Sequence, residues 1–201
     1  MTKQYSELQL DALRELANIG SGTAATALAS MLGRTVDVNV PNVHAMSLAD
    51  AVDAAGPPEQ YVTGVILPVE GDIEAIVLMI FSLDGADTLC RLLGVDPATE
   101  IGRSALGEIG NILGTSYIGA LGMMTGLAFD PCPPETATDM LAAIVASVLV
   151  PTAGTSDIAL LLDTDLAIEG AECSFSFMFV PTADGTDEVL LRLGLGDVGP
   201  A

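Results

Sequence analysis

Apolar residues near the start of the chain recur at helical spacing. The pattern predicts an amphipathic helix from Glu7 to Leu32, with Gly20 and Gly22 loosening its middle. Its apolar side consists of Leu10, Leu13, Leu16 or Ala17, Ala24 and Leu28. The opposite side carries charged and amide residues, so we expect one face of this helix to lie in solvent.

The alternation of apolar and polar residues predicts a strand, a short helix, a hairpin and a closing helix after that first helix. The predicted bounds are Val36–Val40 (ended by Pro41), Ser47–Ala55, Tyr61–Pro68, Asp72–Ser82 and Asp84–Leu93. The second half predicts the same order at Ser104–Thr125, Ala128–Pro131, Thr138–Val150, Ile158–Ile168, Glu172–Val180 and Asp184–Leu193. This order favours an α+β fold with a mainly antiparallel sheet.

The two halves are copies of one unit. Residues 11–43 align without gaps to residues 104–136, and eleven of the 33 positions are identical. In the first copy these are Ala12, Leu13, Glu15, Asn18, Ile19, Ala27, Leu28, Met31, Gly33, Asp37 and Pro41. We therefore predict a single domain over 1–201 that consists of an α-β-α-β-β-α unit repeated at about 8–94 and 101–194 with pseudo-two-fold symmetry.

A polar motif stands at the same place in both copies. It consists of Asp or Ser, then Glu four residues later, Asn three residues after that, and Pro 23 residues further on. The first copy supplies Asp11, Glu15, Asn18 and Pro41, and the second supplies Ser104, Glu108, Asn111 and Pro134. Residues at i, i+4 and i+7 share one helix face, so each copy predicts one exposed polar stripe.

An ordinary solvated helix face and common descent from one ancestral unit would explain part of this pattern. Asn, however, is a poor residue for the middle of a helix, because its amide competes with the backbone. A carboxamide can hold a water molecule, and a neighbouring carboxylate can bind a cationic partner group. The pair suits hydrolysis of a phosphoryl group whose own carrier supplies the metal ion. Motifs of self-sufficient enzymes, such as a Walker loop or HExxH, are absent from the sequence.

The chain is strongly acidic, with 27 acidic residues, six Lys and Arg residues and a net charge of −21. Such a field disfavours nucleic acid and anionic lipid as partners. Two explanations of the charge stay open, solubility or a salt-loving host in which salt screens self-repulsion. The sequence shows neither a signal peptide nor an apolar run long enough to insert into a membrane, so we expect a cytoplasmic protein.

Cysteine and histidine give little sign of chemistry of their own. Cys90, Cys132 and Cys173 are widely spaced and lack metal-ligand or disulfide patterns, so we expect small apolar residues and no bound metal. His44 is the one histidine and has no orienting partner in sequence, which favours a surface or interface position over catalysis.

The doubled motif and its flanks resemble the CheC/CheX/FliY family of chemotaxis phosphatases over residues 8–194. The similar segments are LRELANIGSGTAATALASML, VNVPNV, LPVEGDIEAIVLMIF and ALGEIGNILGTSYIGAL. Because both halves carry the motif, the chain is most similar to the CheC-type members. The resemblance implies a CheC-like fold and dephosphorylation of the response regulator CheY, which carries a phospho-aspartate and a magnesium ion. The chain itself then needs no cofactor.

The same resemblance implies roles for individual residues. Asn18 and Asn111 would orient the attacking water, and Glu15 and Glu108 would bind a lysine of the regulator. Asp11, Ser104, Pro41 and Pro134 would support the motif. The resemblance also implies a second partner, the receptor deamidase CheD, contacted through Asp139, Met140, Ala143 and Ile144. The alternative for that segment is a core helix.

Three functions therefore remain open from the sequence. The first is a CheY phosphatase, and the second is an adaptor that acts mainly by binding CheD. The third is a structural protein of the flagellar motor, against which the absence of a motor-switch segment in this sequence argues.

Overall fold

The computed structural model describes residues 7–149 and 158–194. In the first half it contains α1 (Glu7–Leu32), β1 (Val36–Ser47), α2 (Leu48–Ala55), β2 (Tyr61–Gly71), β3 (Ala75–Ser82) and α3 (Leu83–Leu92). In the second half it contains α4 (Glu100–Thr125), β4 (Phe129–Pro131), β5 (Glu135–Met140), α5 (Leu141–Leu149), β6 (Ile158–Ile168), β7 (Ala171–Pro181) and α6 (Ala183–Arg192). The fold is α+β, as predicted.

The seven strands found among the described residues belong to one antiparallel sheet. Its order is β1-β6-β7-β3-β2-β4, and β5 also pairs with β2. The halves exchange edge strands, since β1 of the first half pairs with β6 of the second and β4 and β5 pair with β2. The strand order is symmetric between the two halves. Exchanging β1 with β4–β5, β2 with β6 and β3 with β7 gives the same order read from the opposite edge. One copy of the unit could not complete this sheet alone.

Helices cover both faces of the sheet and create two apolar cores. The larger core packs α1, α3, α4 and α6 against one face and includes Leu13, Leu113, Tyr117, Phe81 and Phe179. The smaller core packs α2 and α5 against the other face and includes Ala51, Leu78, Leu141, Ile144 and Met178. Because α1 and α4 bury one side each against the sheet, their other sides are left to face solvent.

Gly20 has a packing role that the sequence did not indicate. α1 continues through it, and a Cβ atom at this position would lie 2.3 Å from Cδ1 of Tyr117. Gly20 therefore allows the Tyr117 ring to fit between α1 and α4. Burial raises the pKa of the Tyr117 phenol to about 12, with the nearby Thr164 hydroxyl acting in the opposite direction.

Several predicted boundaries were wrong. α4 begins at Glu100 and not at Ser104, and β3 begins at Ala75 and not at Asp72. Two further differences concern edge strands of the sheet. β1 does not end at Pro41 but continues to Ser47, because an irregularity in its pairing with β6 between Asn39 and Asn42 accommodates the proline. The predicted helix Thr138–Val150 begins only at Leu141, and residues Thr138–Met140 belong to β5. Pairing of β5 with β2 determines this, including the register partners Tyr61 and Met140. Val150 lies outside the described residues.

Within the described ranges, no helix combines the length and apolar character required to cross a bilayer. The three cysteines are free thiols, with Cys90 buried and Cys132 and Cys173 half-buried. Burial raises the pKa of the Cys173 thiol to about 11.

Candidate functional site

The first polar triad, here called site 1, consists of Asp11, Glu15 and Asn18 on α1. All three side chains are exposed, while Leu13 and Leu16 between them are buried. Nη1 of Arg14 lies 2.8 Å from Oδ1 of Asp11, an ion pair on the same helix surface. Glu15 and Asn18 make no such side-chain ion pair or hydrogen bond among the interactions of the described residues, which leaves both available to a partner.

A cleft of about 350 Å³ lies beside Asn18, between α1 and the edge strand β1. Four of its lining residues are polar or charged: Arg14, Asn18, Asn42 and His44. The remainder of the lining is apolar and comes from both elements. The sequence did not indicate that Asn42 and His44 would lie near Asn18, because this proximity depends on how β1 returns beside α1.

The second polar triad, here called site 2, consists of Ser104, Glu108 and Asn111 on α4. Ser104 and Glu108 are exposed, and Asn111 is half-buried. Two glycines, Gly107 and Gly110, take the places of Arg14 and Ala17. Site 2 therefore has a flatter and more recessed surface than site 1, with no cation between its Ser and its Glu.

Close packing against the sheet requires those two glycines. A Cβ atom at Gly110 would lie 2.5 Å from Cγ1 of the buried Val65. A Cβ atom at Gly107 would lie 3.3 Å from Oγ1 of Thr136 and 3.8 Å from Cγ of Pro134. The motif proline of the second copy thus lies directly behind its motif helix. Pro41, its counterpart, lies within β1 at the register irregularity.

A larger cleft, of about 570 Å³, adjoins site 2 without reaching Asn111. It lies between the start of α4, the start of α3 and strand β5, and it is lined by Arg103, Asp87, Thr63, Thr136 and Thr138 among others. Sites 1 and 2 thus lie at opposite edges of the sheet, one beside β1 and one beside β5, each with its own depression.

The four residues predicted to contact a second partner do not all reach the surface. Asp139 and Met140 are exposed at the end of β5, and Ala143 is half-buried. Ile144 is buried in the smaller core with a relative exposure of 2%. Ile144 therefore belongs to the core, whereas the end of β5 and the exposed positions of α5, Ala142, Ala146 and Ser147, lie at the surface.

The geometry fits positioning of water better than self-contained catalysis. In the described part of the chain, no three His, Cys, Asp or Glu side chains are grouped so that they could hold a metal ion. Each triad places a Glu carboxylate and an Asn carboxamide on one helix surface, and site 1 adds the carboxylate of Asp11, which pairs with Arg14. Such a surface can act on a reactive group only when another molecule brings that group to it.

Comparison with known proteins identifies the family to which this sequence is similar. The model of the CheC-like family matches residues 8–44 and 101–137, two segments with the same 93-residue offset as the motifs. CheY-P phosphatase CheC of Bacillus subtilis is 31% identical over 198 residues, which cover 94% of this chain and 95% of that protein. Flagellar motor switch phosphatase FliY of the same organism is 31% identical over 136 residues, 65% of this chain and 35% of FliY.

Solved structures show the same fold at lower identity. Thermotoga maritima FliY matches with a TM-score of 0.74 and 19% identity, covering 97% of this chain and 100% of that chain. The middle domain of FliM from H. pylori matches with a TM-score of 0.67 and 12% identity, covering 94% and 99%. At these identities the structural matches establish the architecture alone.

Proposed function

The chain belongs to the CheC-like family, and from this premise we propose that it removes the phosphoryl group from the phospho-aspartate of the response regulator CheY. The main support for the proposal is that Glu15 and Asn18 are exposed on one face of α1, and that the corresponding pair on α4 has an exposed Glu108 and a half-buried Asn111. The Glu carboxylate binds a lysine of the regulator. The Asn carboxamide enters the regulator's cleft and orients the attacking water.

The reaction needs little else from this chain. Water attacks phosphorus, the bond between phosphorus and the aspartyl oxygen breaks, and inorganic phosphate leaves while the aspartate carboxylate is restored. The magnesium ion on the regulator offsets the charge of the phosphoryl oxygens. The Asn amide contributes by holding the water in line with the breaking bond, an effect of orientation for which an amide suffices and a base is unnecessary.

Because the chain is strongly acidic, charge should influence which regulator it binds. With a net charge of −21, the chain attracts a regulator through basic groups on the docking face and repels one without them. Of the charged residues in the two sites, only the Glu is present in both copies, as Glu15 and Glu108. Salt screens this attraction, so binding should weaken as ionic strength rises.

Phosphate release from phosphorylated CheY tests the proposal. We expect the double variant Asn18→Ala with Asn111→Ala to return the rate to that of the regulator alone, since neither site can orient water. Thr23→Ala on the exposed side of α1 is the matched control and should keep the wild-type rate, because its hydroxyl only bonds the carbonyl of Ile19. Wild-type turnover by the double variant would refute the role given to the amides.

A second candidate function is an adaptor that binds the deamidase CheD. The supporting observation is a pair of exposed apolar side chains, Tyr61 and Met140, which are register partners on β2 and β5 and have relative exposures of 57% and 39%. We expect Tyr61→Ser with Met140→Ser to weaken CheD binding and to leave phosphate release unchanged. Tight CheD binding together with no effect of the wild-type chain on phospho-CheY lifetime would favour the adaptor over the phosphatase.

A further inference from the structure

The cleft beside Asn18 differs in charge from the rest of the molecule. None of its lining residues is acidic, although acidic residues outnumber Lys and Arg by 27 to six in the whole chain. Instead the cleft carries the Arg14 guanidinium, the His44 imidazole and the amides of Asn18 and Asn42. This is a surface of hydrogen-bond donors above an apolar floor.

Two carboxylates, those of Asp11 and Asp163, make contacts with these groups. Asp11 pairs with Arg14 through one Nη atom at 2.8 Å, which leaves the other N–H groups of the guanidinium free to donate elsewhere. Asp163 on β6 accepts a long hydrogen bond of 3.4 Å from Nδ2 of Asn42. Glu15 follows Arg14 on α1 and belongs to the docking face.

The corresponding positions of the second copy lack these groups, and the cleft that adjoins site 2 contains the acidic Asp87 as well as Arg103. With the 93-residue offset that relates the two family-model matches, Arg14 corresponds to Gly107, Asn42 to Glu135 and His44 to Ala137. One positive charge is lost and one negative charge is gained, a difference of two charges between corresponding surfaces. Each motif Glu and Asn is kept, so the divergence affects the surroundings of the motif and not the motif.

We propose that the site 1 cleft receives an acidic side chain of the regulator docked there, and that it thereby selects among regulators while site 2 does not. This proposal rests on the proposed function. An aspartate or glutamate side chain fits the lining, because its methylene groups meet the apolar floor and its carboxylate meets the donors of Arg14, Asn42 and His44. A free phosphate ion has no apolar part to match that floor.

Removing the Arg14 guanidinium and the His44 imidazole tests this inference. The background is Glu108→Ala with Asn111→Ala, which leaves only site 1 able to dock and act. Into it we would introduce Arg14→Gln and His44→Ala, since Gln keeps a good helix former at position 14. The probe is CheY loaded with beryllofluoride, a stable mimic of the phosphorylated form, titrated at 50, 150 and 500 mM salt in order to vary screening.

We expect the Kd at the lowest salt to rise about fivefold to tenfold and the salt dependence of binding to become shallower. KM for phosphate release should rise to the same extent while kcat stays within about twofold, because the cleft acts in docking and not in orienting water. Arg91→Ala in the same background is the matched control. It removes one positive charge on α3, where Arg91 pairs with Asp87, and should leave Kd unchanged.

Two results would overturn the proposal. One is that Arg14→Gln with His44→Ala changes Kd less than twofold, or that the control Arg91→Ala raises Kd by the same factor. The other is competition by inorganic phosphate that disappears with Arg14→Gln and His44→Ala while the Kd for the regulator stays the same, since the occupant would then be a free anion. Neither result touches the proposed function, whose own failure would appear as turnover retained after Asn18→Ala and Asn111→Ala.

Discussion

Sites 1 and 2 carry the same Glu and Asn on helices of equal length, 26 residues each, but the two helices meet the sheet differently. α1 keeps Arg14 and Ala17 around its motif and lies beside a long, continuous β1. α4 has Gly107 and Gly110 there and lies beside a strand that is interrupted between β4 and β5. The duplication has therefore kept the polar groups and changed how closely each helix approaches its neighbours.

The interruption in the second copy has a local cause. Residues 131–134 read Pro-Cys-Pro-Pro, whereas the corresponding residues 38–41 read Val-Asn-Val-Pro. Proline has no N–H to donate to a ladder, so three prolines break the edge strand, while one is absorbed by a local irregularity. The difference shows that a motif can be duplicated faithfully while its recognition surface diverges.

Reversal of the docking charge should have the largest effect. In a site-1-only background, Glu15→Lys places a cation opposite the regulator lysine and should lower kcat/KM by about tenfold or more. Glu108→Lys in a site-2-only background should do the same, and phosphate release at low salt measures both. Equal activity of either reversed variant and its parent would show that the Glu does not dock the regulator.

The glycines of α4 should tolerate substitution less well than their counterparts on α1. Gly110→Ala places a Cβ atom against buried Val65 and should lower the free energy of unfolding by about 1–3 kcal/mol despite the better helix propensity of alanine. The matched change, Ala17→Gly, should cost about 1 kcal/mol through helix propensity. Urea denaturation of both variants decides this. A Gly110→Ala protein more stable than wild type would contradict the close packing.

Thiol labelling compares β1 with the segment between β4 and β5, which contains Cys132. Burial, followed by the charge of Glu70, raises the pKa of the Cys132 thiol above its ordinary value of 9.0. Because the thiolate is the reactive form, labelling of Cys132 should be slow at pH 7 and rise about tenfold per pH unit up to at least pH 9. Asn39→Cys places a thiol at the corresponding exposed position of β1 and should react faster at pH 8. Mass spectrometry after timed labelling identifies each site.

The Arg14–Asp11 pair should contribute least to stability. Both side chains are about two-thirds exposed, at 65% and 66%, so solvent screens their attraction. Arg14→Gln should therefore change the free energy of unfolding by about 0.5 kcal/mol or less. A loss several times larger in urea denaturation would mean that Arg14 holds site 1 together, in which case its effect on regulator binding would need reinterpretation.

The sequence predicted an element well where the hydrophobic periodicity and the turn residues indicate the same boundary. α1 and β6 have the predicted bounds, because Gly33 follows the first and a Glu-Gly turn follows the second. It failed at Thr138–Met140, where a short neutral segment before an apolar helix gives no local signal of a strand. Only pairing with β2, far away in sequence, makes this segment β5.

The candidate sites were likewise predictable only where the contacts are local in sequence. Exposure of Glu15 and Asn18 follows from helical spacing, which depends on neighbours in sequence. The cleft does not, because Asn42 and His44 reach Asn18 only through the register of β1 on β6 and its irregularity at Pro41. The face that a helix residue occupies can thus be predicted from the sequence, whereas contacts between elements distant in sequence require the structure.

We propose that each half presents a carboxamide that orients water in another molecule's active site, and that the two carboxamides act separately. The most direct test is kcat/KM for phosphate release from phosphorylated CheY with Asn18→Ala, Asn111→Ala and the double variant. We expect the contributions left in the two single variants to add up to the wild-type value, and the double variant to leave only the regulator's own rate. Wild-type turnover in the double variant, or complete loss in one single variant, would contradict it.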